Sequence, residues 1–536
     1  METNSVYSRH SRQESTSIES SPMIPSPSPS PPSRRLPSNP KKDAFHIALL
    51  LFLYILQGIP IGMVGVIPFL LTQKGVGYKE QAEFSFAFWP FSIKLLWAPI
   101  VDSLYFTKLG GRRKTWLIPV QYAIGVTMYY LSSRVESMIE AEDVATLTFA
   151  FFFLNFLAAT QDIAVDGWAL TMLAPENVVY ASTCNSVGQT AGYFIGYVGY
   201  LGLESYGVID LPTFLVFFAY VFVISTTIVA IFITEKPEVP SHIGSESSQK
   251  LLESDSVSKD VDEHNLGVIK TYKLLYKIIR LEVMMPTMVV FLLTAKICFS
   301  ATDSITSLKL VEAGVPKESL GMLALPLTPL QILLPLFISR YTTGPKPLNV
   351  FLKAYPFRLI MCLVIAGFVY ITPYFMLEDG VYPYSYYVFL VIIFALHQVT
   401  SYSMFVSSMA FYSLISDPVV GGTYMTLLNT LTNLGGNWPA TLSLWLVDYL
   451  TVKHCNMPEN TPSNVTIDEW RDCFGKDHKC AKHGGTCETV TEGYYIECFI
   501  CVVFGILWLK IWGEKAITKL QSVNISDWRV MRKQKY

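Results

Sequence analysis

The chain has 536 residues, of which 51% are hydrophobic, 14% aromatic and only 15% charged, and its formal net charge is -2. A composition this apolar excludes a soluble globule, and a nearly balanced charge without a basic domain excludes a nucleic-acid binder. What remains is a polytopic membrane protein, in which charge carries information only through where it sits.

Residues 1–43 hold the Ser- and Pro-rich run from Ser20 to Ser33, have too few apolar residues to bury a core, and are expected to be a disordered tail. The tail lacks the short apolar core and cleavage site of a secretory signal peptide, so the first apolar segment is expected to act as an uncleaved targeting signal. Apolar stretches near bilayer length follow at 44–72, 82–104, 115–133, 145–173, 179–203 and 211–234. Residues 235–285 then turn charged and Ser-rich and end in Thr271–Arg280, which is expected to lie on the membrane surface as a basic amphipathic helix. Six further stretches lie at 286–312, 319–340, 355–376, 384–414, 421–447 and 494–512, before a second tail at 513–536. The expectation is an all-α membrane protein with twelve transmembrane helices in two pseudo-symmetric six-helix halves, 44–234 and 286–512.

An even number of spans puts both termini on one side. Arg34, Arg35, Lys41, Lys42, Lys108, Arg112, Arg113, Lys114, Lys270, Lys273, Lys277, Arg280, Arg340, Lys346 and Lys353 all fall on the N-terminal side, which the positive-inside rule makes cytosolic. The one long loop on the opposite face, 448–493, carries Cys455, Cys473, Cys480 and Cys487 and the glycosylation sequon at Asn464. Cysteines and a usable sequon fit an oxidising lumen. Four cysteines allow three pairings, and a zinc site that enlists His478 and His483 stays open as an alternative.

Asp162 and Asp166 lie four residues apart within an apolar run, with Asn155 and Gln161 nearby. A carboxylate at the centre of a bilayer costs roughly 2.5–3.5 kcal/mol on insertion scales, so such groups face a protein interior or a cavity. Residues i and i+4 share a helix face. The pair is expected to line an inward polar stripe that holds a cation or carries a proton, or else to lock helices together through hydrogen bonds. Lys94, Lys296, Asp303, Arg358 and His397 are the other ionisable residues within the spans. Lys94 and Arg358 could snorkel toward the cytosolic interface, while Lys296 needs an anionic partner, either Asp303 seven residues on or a ligand.

The halves repeat weakly. Val178–Gly192 aligns without a gap on Gly422–Gly436, which sets Asn185 over Asn429, Gln189 over Asn433 and Gly192 over Gly436. Duplicated six-helix units are the architecture of the major facilitators, and Leu96–Asp102 followed by Gly110-Gly111-Arg112-Arg113-Lys114 resembles a stretched form of their motif between helices 2 and 3. Asp102, Arg112 and Arg113 are therefore expected to form a cytosolic gate.

The stretches Phe88–Pro99, Ala158–Met172, Tyr180–Tyr193 and Gly421–Asn429 closely resemble the acetyl-coenzyme A transporters of the endoplasmic reticulum membrane, within the major facilitator superfamily. The resemblance runs from about residue 44 to the last helix and implies import of cytosolic acetyl-CoA for lumenal acetyltransferases. It implies no cofactor; free CoA as a counter-substrate and a homodimer are compatible with it. A pyrophosphate, a ribose phosphate and an adenine need cations, amide donors and aromatic faces. Lys296, Lys94 and Arg358 are the candidate cations, Asn185, Gln189, Asn429 and Asn433 the candidate donors, and Trp168, Tyr193, Tyr402 and Trp438 the candidate faces. Asp162, Asp166, Asp303 and His397 are left as candidates for ion or proton coupling. Two other functions stay open: transport of a sugar-derived or lipid-linked solute, and a membrane acyltransferase using His397 as base, for which the helices offer no nucleophile.

Overall fold

The computed structural model describes residues 40–104, 111, 113–174, 177, 179–235, 268–281, 284–342, 344–416, 421–456, 480 and 486–528. Among them, eight helices are long and apolar enough to cross a membrane: Lys41–Gln73, Val144–Ala169, Leu211–Phe232, Thr287–Glu312, Lys317–Thr342, Leu348–Phe375, Tyr384–Ile415 and Gly493–Ser522. The other four expected spans are helical but shorter, broken or more polar. They comprise the Lys114–Ser132, Val179–Phe194 and Gly421–Leu450 helices, and a second span that is not one helix at all.

That second span divides into Tyr78–Ser85, Pro90–Ile93 and Ala98–Ser103, joined by 3₁₀ turns at Phe86–Phe88 and Lys94–Leu96. Pro90 and Pro99 lie in the first turns of the short helices, where a missing N–H costs nothing, but each removes a donor from the turn before it. The seventh span is interrupted too, passing from Val290–Thr294 through Lys296 into a 3₁₀ turn at Ile297–Phe299 and on to Ser300–Glu312. No proline explains this second break. There the indole Nε1 of Trp438 donates to the Leu293 carbonyl at 3.0 Å, satisfying a backbone acceptor at the interruption from a neighbouring helix.

Small residues set the closest helix pair. Ala44–Gln73 packs along Val179–Phe194, where Gly58 meets Gly192 and the carbonyl of Gln189, and Gly192 meets the Ile55 carbonyl with no room for a Cβ. In hydrocarbon, such backbone approach is what drives helix pairing. The second half repeats the device one residue out of the expected register: Gly435, rather than Gly436, abuts the Leu292 carbonyl, and Gly436 faces Lys296.

One apolar core lies within residues 56–222 and another is built almost wholly from residues after 274. A third joins the halves, packing Phe69, Tyr78 and Ala82 against Ile305, Leu308 and Leu444. It sits toward the end of the bundle that carries a two-stranded antiparallel hairpin, Val452–Asn456 with Thr486–Thr491. The same end holds a Lys317–Glu204 ion pair at 2.9 Å and Lys309 over the Tyr78 ring at 5.3 Å, both crossing between halves. Deeper in, Asn437 donates to Ser92 at 2.8 Å and Ser85 shares a 2.6 Å hydrogen bond with Thr441.

The segment expected to be a tail from 513 stays ordered further on. Glu514–Ser522 is helical, and Trp528 is 1% exposed with its carbonyl accepting from Tyr424 at 3.2 Å. The surface helix runs Val268–Ile279, three residues earlier at its start than its charges suggest. Cys455 is joined to Cys480, which removes Cys480 from any zinc site. Arg112, Asn464 and Cys473 lie outside the described residues, and of Cys487 only the strand position opposite Cys455 is described.

Candidate functional site

The two aspartates face inward and split their partners. Asp162, 4% exposed, receives Lys94 Nζ at 2.5 Å on Oδ2 and Gln57 Nε2 at 2.7 Å on Oδ1. Asp166, one turn on, accepts from the Tyr54 hydroxyl at 2.7 Å and from Asn185 Nδ2 at 3.0 Å. Lys94 is itself 8% exposed, so it does not snorkel to an interface; the 3₁₀ turn at 94–96 aims it at the Val144–Met172 helix. The same helix is tied along its length, by Asn155 to the Ala87 carbonyl at 2.7 Å, by Thr160 to Trp97 at 3.1 Å and by Gln161 to the Leu53 carbonyl at 3.2 Å. The helix thus carries amides that lock it to its neighbours and carboxylates that hold a lysine and three neutral donors.

The second half has a separate charged cluster. Arg358 donates to Asp303 at 2.6 Å, and its guanidinium lies 4.2 Å from the Phe299 ring centroid. Nε2 of His397 stands 3.2 Å from the other oxygen of Asp303. These three residues line a cavity of about 270 Å³ with Thr302, Thr306 and Gln398. Arg358 is 6% exposed and, like Lys94, is held inside.

Lys296 is placed differently. The 3₁₀ turn breaks the seven-residue relation to Asp303 that a continuous α-helix would give, and Lys296 Nζ instead donates to the Thr432 carbonyl at 3.1 Å. Among the described residues, no carboxylate lies within ion-pair distance of it. Half-buried Asn429 stands nearby in sequence on the Gly421–Leu450 helix, with Oδ1 lacking a hydrogen-bond partner, and Asn433 is exposed.

The aromatic candidates separate by burial. Trp168 is 3% exposed in a cluster with Leu50, Leu53 and Tyr54, so its ring is a packing element with no face free for a ligand. Tyr193 is 38% exposed and stacked on Tyr197 at 5.4 Å. Tyr402 is half-buried and edge-on to Phe405, and Trp438 is half-buried with its N–H engaged at the Leu293 carbonyl. Gln189 is half-buried on the face that meets the first helix.

Comparison with known proteins fixes the lineage. The family profile described as acetyl-coenzyme A transporter 1 matches residues 46–530. The chain belongs to the acetyl-coenzyme A transporter 1 family. An uncharacterized membrane protein of Saccharomyces cerevisiae is 30% identical over 566 residues, covering 93% of this chain and 99% of the relative. An uncharacterized protein of Schizosaccharomyces pombe is 31% identical over 512 residues, covering 92% and 90%. Among solved structures, that of an auto-inhibited peptide transporter of the POT family overlays with a TM-score of 0.49 at 13% identity, covering 88% of this chain and 96% of that one.

This member of the acetyl-coenzyme A transporter 1 family is thus a multi-pass membrane protein of a transporter family, and three of its polar contacts escaped the sequence. Tyr54 and Gln57 looked like ordinary residues of an apolar helix; their spacing of three, which puts them on one face, was the available signal. Glu235 accepts from the backbone N–H groups of Arg113 and Lys114 at 3.0 Å, beside the Arg113–Asp102 ion pair at 2.6 Å. The expected gate residues Asp102 and Arg113 therefore do meet, with a second carboxylate reaching them from the end of the Leu211–Phe232 helix.

Proposed function

We propose that this protein carries acetyl-CoA across the endoplasmic reticulum membrane, from cytosol to lumen, as a twelve-span major facilitator that exposes a central site alternately to the two sides. The N-terminal face would be cytosolic, the hairpin face lumenal. Imported acetyl groups would supply lumenal acetyltransferases, with free CoA as a counter-substrate and no chemistry on the transporter itself.

One observation carries the substrate reading. Of the three candidate substrate cations, Lys94 and Arg358 are each matched by a carboxylate, whereas Lys296 bonds a backbone carbonyl and sits at a helix interruption. A desolvated ammonium without a counter-ion favours an incoming anion, and helix breaks are where transporter folds hold substrates. Asn429, Asn433, Tyr193 and Tyr402 are the donors and faces left available for the rest of the ligand. Arg358, Asp303 and His397, joined in one cavity, are suited to a coupling proton, as are Asp162 and Asp166. The Lys317–Glu204 and Lys309–Tyr78 contacts favour a state closed on the hairpin side.

Purified protein reconstituted into vesicles preloaded with CoA should accumulate labelled acetyl-CoA, and unlabelled acetyl-CoA should compete better than sugar nucleotides or lipid-linked sugars. Accumulation of one of those competitors instead would replace acetyl-CoA as the substrate. Failure of all of them would end the transporter reading.

A further inference from the structure

The Val268–Ile279 helix has three faces rather than two. Leu274, Leu275 and Ile278 are buried in the apolar core of the second half, and Thr271 is buried on the same face. Lys270, Lys273, Lys277 and, just beyond the helix, Arg280 form an exposed basic stripe. Beside it runs an exposed apolar stripe of Ile269, Tyr272 and Tyr276, at 70%, 36% and 56% exposure. The Arg280 guanidinium stands 4.8 Å from the Tyr276 ring centroid, which joins the two stripes at one end.

Tyr272 also reaches the other half. Its hydroxyl donates at 2.5 Å to the Leu96 carbonyl, the last residue of the 3₁₀ turn that begins with Lys94. The helix packs as well on Ala98–Ser103, at the end of that broken span, and on the Gly421–Leu450 helix.

A row of tyrosine and isoleucine side by side with a row of cations has one environment that satisfies both. Aromatic rings settle at the bilayer interface, and neighbouring cations meet headgroup phosphates. A soluble polyanion would match the cations and leave the apolar stripe in water. We propose that this helix is a docking face for anionic phospholipid headgroups, and that lipid held there steadies, through Tyr272, the turn that presents Lys94 in the other half. Bilayer charge would thereby set how rigidly the Lys94–Asp162 pair is held.

The first readout involves no transport, so its outcome is independent of the acetyl-CoA reading. Full-length protein in detergent should gain roughly 2–4 °C in Tm on adding phosphatidylserine but not phosphatidylcholine, and the K270Q/K273Q/K277Q/R280Q variant should show no difference between the two lipids. All four side chains are exposed, so the variant keeps its core. A variant that retains the phosphatidylserine shift overturns the proposal. So does a shift of equal size with inositol hexakisphosphate at matched phosphate concentration that the fourfold variant also loses, which would assign the stripe to a soluble polyanion. The coupling to the first half is read in an L96C variant: phosphatidylserine should slow its reaction with a membrane-impermeant thiol reagent several-fold, and adding Y272F should abolish that slowing. Labelling that ignores the lipid, or ignores Y272F, overturns the coupling.

Discussion

Tyr54 and Asp166, 112 residues apart in sequence, are joined by a 2.7 Å hydrogen bond in which the phenol donates to the carboxylate. One helical turn earlier, Asp162 holds Lys94. Two carboxylates on one face thus have different counterparts, a cation and an amide for one and only neutral donors for the other. The difference predicts different fates on substitution.

Asp162→Ala leaves a buried ammonium without its partner, and breaking a buried pair from one side costs about 3–5 kcal/mol. A sharp fall in Tm and in monodisperse yield is expected, with much of it restored in Lys94→Met/Asp162→Leu. Asp166→Asn keeps a hydrogen-bonding side chain against Tyr54 and Asn185 and should fold normally. If Asp166 carries the coupling proton, that variant loses the pH dependence of uptake while retaining acetyl-CoA binding; an unchanged pH profile removes Asp166 from the coupling group.

Lys296→Ala should weaken acetyl-CoA binding by about tenfold to a hundredfold, the loss of one hydrogen bond to a charged group, with Tm little changed because only a carbonyl contact to Thr432 goes. Binding measured by calorimetry or by ligand-induced Tm shift decides it. Undiminished affinity in a folded variant would shift attention to Arg358.

Gly192→Leu should prevent the first and fifth spans from meeting, since even a Cβ at Gly192 collides with the Ile55 carbonyl and Gly58. Loss of monodisperse protein is the expected outcome. Gly202→Ala, at a glycine with open space around it, is the matched control and should behave as the parent.

Asp210 caps the Leu211–Phe232 helix by accepting from the Thr213 N–H at 3.0 Å, and the hydrogen bonds of Thr213 hold its carboxyl below the usual carboxylate range. A depressed folded value means stability that is present above the unfolded value and is lost as pH falls through the folded one, from about pH 5 downward. Asp210→Ala should cost about 1 kcal/mol at neutral pH. Asp210→Asn should keep most of the cap while its Tm falls less steeply with acid than the parent's.

The sequence by itself determined that this is a polytopic α-helical membrane protein, because hydropathy is a sum over neighbouring residues and needs no tertiary partner. It also exposed Asp162 and Asp166, since a carboxylate in an apolar run is visible without a fold, and the aligned small-residue stretches that end at Gly192 and Gly436. What it left open was which groups meet. Lys94 to Asp162 and Arg358 to Asp303 pair helices whose rotation is set by packing across the bundle, and Lys296 parts from Asp303 because the helix between them is interrupted. At that interruption an indole from the Gly421–Leu450 helix, 145 residues away, donates to the Leu293 carbonyl. Nothing local marks that contact, because the donor lies in another helix.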